Sequence, residues 1–203
     1  MELVNTDLVF SESTQTVLGL IAEATTAIPS PYIKFPVAEL HGGPTLKALE
    51  RVYCYELYHR MRPLAEKRLP NISLSGEVDK RGHPIIRRGG IPDFLFHEPG
   101  NMGGNLAIVE VKRIDAEVGG VRKDIKRLRQ YLSFKDGAYR AGVLLFFGES
   151  GEKNPTGLIR SALSADREMH QRSYLHPCIR VLWHRRAGEA AFEVPLEPAT
   201  SGK

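Results

Sequence analysis

Polar and apolar positions change period several times along the chain. "STQTVLGLIAEATTA", opening at Ser13 after a polar run, has the cap and apolar spacing of a helix over 13–27. "IPSPYIKFP" holds three prolines, which predict an extended linker, and "HGGP" (41–44) predicts a loop. In "TLKALERVYCYELYHRMRPL", Leu46, Leu49, Tyr53, Leu57 and Met61 recur at helical spacing, and Pro63 is expected to limit that helix. "ISLSGEVDK" (72–80) then alternates apolar with polar residues, a strand with one polar face. "IPDFLFHE" (91–98) and "NLAIVEVKRI" (105–114) read as two more strands joined by the turn-rich "PGNMGG". Joins this short predict antiparallel neighbours.

The helical period returns after Gly119–Gly120. "VRKDIKRLRQYLSF" carries an apolar stripe of Val121, Ile125, Leu128 and Leu132. "AGVLLFFGE" (141–149) is an apolar run of strand length suited to burial on both faces. Strand, crossover helix and strand predict a parallel pair with a right-handed connection. A helix around 156–171, a strand over 178–185 and an edge segment over 190–196 follow, with a frayed tail beyond. The expected fold is an α/β layer structure with a mixed central sheet. A length of 203 residues predicts one domain over 1–203.

Composition narrows the classes. With 42% hydrophobic and 26% charged residues the balance is that of a soluble globular chain, and no apolar run reaches membrane-span length. Glu2 and Asp7 stand where a signal peptide would carry positive charge, so a cytoplasmic protein is expected. Cys54 and Cys178 form neither a disulfide framework nor a zinc pattern, and are read as reduced buried thiols. Seven histidines include no HxH or HExxH spacing. The net charge of +4 gathers in "DKRGHPIIRRGG" (79–90), "VRKDIKRLR" (121–129) and "WHRRAG" (183–188). These clusters suggest a surface that tracks phosphates, with Arg87, Arg88, Lys123, Lys126, Arg127 and Gln130 as contacts. Tyr53, Tyr55 and Tyr58 are candidates for stacking on bases, though their helical spacing puts part of this set in the core.

One strand asks a chemical question. Glu110 and Lys112 lie two residues apart at the end of an apolar strand, so both face the same side. If the preceding strand pairs with it, Asp93 can lie opposite that end. Two carboxylates and an ammonium converging near a core are costly unless they pair or hold an ion. Two hard carboxylates helped by a backbone carbonyl are what Mg²⁺ accepts.

The "PD" of Pro92–Asp93, the "EVK" of Glu110–Lys112 after a Gly-rich hairpin, and the helix, three-strand, helix, strand order resemble the PD-(D/E)XK nuclease superfamily. That resemblance implies a restriction-endonuclease-like αβββαβ core over about 45–150, with the helix 13–27 and the segment 154–196 as additions, and Mg²⁺- or Mn²⁺-dependent hydrolysis of phosphodiester bonds in DNA. It implies Asp93, Glu110 and the Val111 carbonyl as metal ligands, Lys112 as the catalytic lysine, and a glutamate from the first core helix. Glu50, near that helix's start, is preferred over Glu56. Gln130 and Lys126 are the positions available for a further polar residue on the second helix. A nuclease-fold protein that binds nucleic acid or assembles without cutting is the alternative. A homodimer or larger complex is an expected source of target choice.

Overall fold

The computed structural model describes residues 11–38, 43, 45–77, 90–133, 138–149, 151–165 and 175–195. The basic stretch 79–89, with Arg87 and Arg88, lies outside these residues, as do most of 41–44, all of 166–174 and the tail.

Two faces of one sheet organise the chain. Helix α1 (Glu12–Thr26) is followed by a single helical turn, α2 (Ser30–Ile33), and by a two-stranded antiparallel hairpin of β1 (Phe35–Val37) and β2 (Thr45–Lys47). Helix α3 (Glu50–Arg68) leads into strands β3 (Ser73–Gly76), β4 (Phe94–His97) and β5 (Asn105–Arg113). Then come α4 (Val118–Leu132), β6 (Ala141–Phe147), α5 (Pro155–Ser164), β7 (Ile179–His184) and β8 (Phe192–Glu193). The six strands β3 to β8 lie in chain order in one sheet. The first three form an antiparallel meander, β5, β6 and β7 are parallel, and β8 returns antiparallel. The α/β class, the mixed sheet and the parallel pair across α4 therefore agree with the sequence pattern.

Strand periodicity sorts the core into two layers. Odd positions of β5 (Ala107, Val109, Val111) pack with α1 and α3, while Ile108 packs with α4 and α5. All seven residues of β6 are buried, as a central parallel strand covered by helices on both faces requires. Gly142 is tightly covered by β7 and α4: a Cβ there would lie 3.2 Å from Ile179 and 3.3 Å from Leu132. No helix among the described residues is long and apolar enough to cross a membrane.

Four expectations are corrected. The proline-rich stretch is not a plain extended linker: Pro29 precedes α2 and Pro31 sits in its first turn, where a fixed φ and a missing N–H suit a helix start. Thr45–Lys47 is strand rather than helix, because pairing with Phe35–Val37 outweighs one coincidental Leu46–Leu49 spacing. Pro63 does not end α3, which runs on to Arg68. It sits on the solvent side, where the carbonyl it frees meets water, while Leu57, Met61 and Ala65 anchor the opposite face. Cys54 is buried but Cys178 only partly so, and both thiols are free.

The α3 face holds a buried polar pair. The Tyr53 hydroxyl and His184 Nδ1 share a 2.9 Å hydrogen bond, and Tyr53 stacks on Phe147 at 4.0 Å between centroids. Burial lowers the pKa of His184, and its Nε2 is enclosed with no hydrogen-bond partner among the described residues. The neutral ring is favoured in the fold, so this group's contribution is complete above the unfolded pKa near 6.5 and is lost as pH falls below it. Tyr53→Phe is expected to cost about 1–3 kcal/mol in denaturant unfolding at pH 7.5, because it strands Nδ1 as well. An unchanged midpoint would show that the pair contributes nothing.

Candidate functional site

Strand pairing assembles the site. Phe94 faces Val109 across β4 and β5, so one further step of the same ladder sets Asp93 opposite Glu110. β4 begins only at Phe94, and Asp93 fills the gap with its side chain: its Oδ2 accepts the Val111 N–H at 2.7 Å. The carbonyl of a strand residue leaves on the same side as its N–H, so the Val111 carbonyl is directed to the Asp93 side. Glu110 and Lys112 face α4, as strand alternation requires.

The carboxyl end of β5 lies between the start of α3 and the second turn of α4. Lys112 Nζ stands 3.0 Å from Glu50 Oε1 and 2.9 Å from Asp124 Oδ2. Glu50 occupies the first turn of α3, where the helix dipole favours an acid. Arg127 donates to Glu110 Oε2 at 2.6 Å and lies 3.8 Å from Asp124 Oδ1. Four carboxylates thus meet two cations, an excess of two negative charges when all are ionised.

That excess shows in the protonation equilibria. Asp93 is pushed up to about 6 by burial, with Glu50 and Asp124 adding to the rise and the Val111 N–H and Lys112 opposing it. Glu110, 1% exposed, is raised well above an ordinary glutamate by burial and then by Asp93 and Asp124, against Arg127. Asp124 is raised by burial against Lys112 and Arg127. For Lys112 burial works against the ammonium, but Asp124 and Glu50 outweigh it and hold its pKa above that of a free lysine.

Polar satisfaction is incomplete in the same place. Glu110 Oε1 is buried and accepts no hydrogen bond among the described residues. Asp124 Oδ2 is close enough to Lys112 for an ion pair but lacks hydrogen-bond geometry. Among the described residues no three His, Cys, Asp or Glu side chains converge as a complete metal cage. A magnesium-type site needs fewer protein ligands, because the ion keeps several waters. The oxygens available to such an ion are those of Asp93, the orphaned Oε1 of Glu110 and, on the Asp93 side, the Val111 carbonyl.

The sequence candidates divide clearly. Asp93, Glu110, Val111, Lys112 and Glu50 come together. Glu56 does not: it is buried elsewhere on α3, 2.6 Å from Arg60. Lys123 and Lys126 are exposed on α4, and Gln130 is half-buried. Arg127 is no surface phosphate contact here, because its guanidinium is turned inward onto Glu110 and is only 15% exposed. Asp124 was missed as a site residue, yet a signal existed. Asp124, Leu128 and Tyr131 follow the i, i+4, i+7 spacing of the buried face, and an acid on that line calls for a partner. Tyr53 belongs to the core and Tyr58 is partly buried against Phe94, which leaves Tyr55 as the exposed ring of the three. An open cleft of about 530 Å³ adjoins the cluster, lined in part by Glu50, Arg51, Tyr55 and Arg113.

Compared with known proteins, the chain matches no family model, no curated protein and no solved structure.

Proposed function

We propose that this protein is a metal-dependent nuclease of restriction-endonuclease-like architecture that hydrolyses phosphodiester bonds in DNA. One observation carries the reading: Asp93, one residue before β4, comes opposite Glu110 of β5 when their ladder is extended by one step, inside a cluster of four carboxyl groups and two cations, and the buried Oε1 of Glu110 has no hydrogen-bond partner among the described residues. A divalent cation is the ligand that answers both features.

Asp93, Glu110 and the Val111 carbonyl would hold Mg²⁺ or Mn²⁺. Bound there, the ion supplies a water of lowered pKa and neutralises charge building on a phosphate. Lys112 is fixed from two sides by Glu50 and Asp124 and stays an ammonium at neutral pH. Its part is therefore to donate hydrogen bonds and positive charge to a phosphate oxygen, not to abstract a proton. Glu50 positions that ammonium. Arg51, Arg113 and the exposed Tyr55 line the adjoining cleft and would give a nucleic-acid strand a place beside the cluster, the arginines exchanging their pairs with Glu77 and Asp115 for phosphates.

The test is cleavage by the purified chain of single-stranded, duplex, branched and RNA substrates, with Mg²⁺ or Mn²⁺ against EDTA. Metal-dependent strand breaks are expected on a DNA substrate. Salt-sensitive DNA binding without turnover on any substrate would replace this reading with that of a non-cutting binding module.

A further inference from the structure

We propose that Arg127 is a built-in counter-ion for Glu110 which a divalent cation must displace, and that Asp124 is the acid that receives it. The inference rests on the metal-site reading above and adds a competitor to it.

A guanidinium and a metal ion that share one carboxylate repel each other, and the repulsion is strong where water is scarce. Glu110 is such a place: its side chain is 2% exposed, and its Oε2 is already held by Arg127 at 2.6 Å. The guanidinium has somewhere to go. Asp124 sits one turn earlier on α4 with Oδ1 at 3.8 Å, so a shift of about 1 Å converts a loose pair into a hydrogen-bonded one. Gly90 lets the guanidinium lie where it does: a Cβ there would come within 2.8 Å of Arg127 Nε, so a side chain at this position would push Arg127 aside. The Tyr131 hydroxyl donates to the Gly90 carbonyl at 2.9 Å and keeps this stretch of backbone against α4. In the metal-free protein Arg127 offsets part of the negative excess. In the loaded protein the ion takes over that task, and Arg127 pairs with Asp124.

The sign of one measurement separates this role from a supporting one. Removing a residue that merely supports metal ligands weakens metal binding by about 10–100-fold. Removing a competitor tightens it. Mn²⁺ is titrated into the full-length wild type and into Arg127→Gln, with free Mn²⁺ read by electron paramagnetic resonance. The Kd of Arg127→Gln is expected to fall by about tenfold or more. A variant that binds Mn²⁺ no more tightly than wild type overturns the proposal. Should Arg127→Gln not fold without metal, the wild type decides. The Arg127 Nε–H nuclear magnetic resonance signal, assigned with Arg127→Lys, is followed as non-catalytic Ca²⁺ is added. It is expected to move along the Ca²⁺ binding isotherm, and a signal that stays fixed while the ion binds overturns the proposal. Wild type that binds no Mn²⁺ at all overturns the metal-site reading together with this one. Wild type that binds Mn²⁺ while the variant gains nothing removes Arg127's role alone.

Discussion

Asp93→Asn is expected to abolish metal-dependent cleavage, by about 10³-fold or more, while making the metal-free protein more stable at neutral pH. The two effects come from the same charge. The aspartate lies opposite Glu110 and near Glu50 and Asp124, and its pKa is raised to about 6 from 3.8, burial first and the neighbouring acids next. For a carboxyl raised on folding, the contribution to stability is full below the unfolded value and is lost as pH climbs through the folded value. At pH 7 the ionised group therefore works against the fold, by about 2–3 kcal/mol from a rise of roughly two pH units. Asparagine still offers an oxygen to the Val111 N–H but carries no charge to repel its neighbours. Thermal unfolding in EDTA should show wild type losing stability between pH 4 and 7 on this account, and Asp93→Asn losing less. His184 acts in the opposite sense below about pH 6.5, so the comparison is read as the difference between the two proteins. An inactive variant no more stable than wild type would mean that the aspartate's charge is compensated already. A fully active variant would remove Asp93 from the chemistry.

Much of this site was legible because strand alternation and hairpin pairing are local rules. Alternation alone put Glu110 and Lys112 on one face, and the short hairpin between β4 and β5 brought Asp93 opposite them. The preference for Glu50 over Glu56 followed from position within the helix; of the two, Glu50 is the one that pairs with Lys112. What could not be read was the answer of α4. Its basic residues look alike in sequence, yet Lys123 and Lys126 face solvent while Arg127 turns inward onto Glu110, a contact made across to β5 that local periodicity does not encode. Asp124 was overlooked because an acid beside three basic residues reads as a solvated face, although its register with Leu128 and Tyr131 placed it on the buried one. The errors at Thr45–Lys47 and Pro63 share a cause. In both, tertiary pairing or burial outweighed a local preference of a few kcal/mol at most.

Lys112→Met carries the second large effect, and a double substitution resolves its origin. Methionine keeps the length of the side chain and removes the ammonium that lies 2.9 Å from Asp124 and 3.0 Å from Glu50. Glu50 is partly solvated and can rehydrate, whereas Asp124 is 4% exposed and, among the described residues, would keep Arg127 alone at 3.8 Å. Breaking a buried pair from one side costs about 3–5 kcal/mol, since it leaves a buried charge without its partner. Lys112→Met is thus expected to lose that much stability in denaturant titration and about 10²–10⁴-fold in cleavage, which alone would not separate a chemical role from a structural one. Asp124→Leu added to Lys112→Met removes the stranded carboxylate, and the double variant should regain most of the lost stability. Cleavage should stay lost, because a stable fold without the ammonium still has nothing to set against the charge growing on the phosphate. Recovery of activity together with stability would make Lys112 a structural residue. The work of charge neutralisation would then fall to Arg127, the other cation in the cluster.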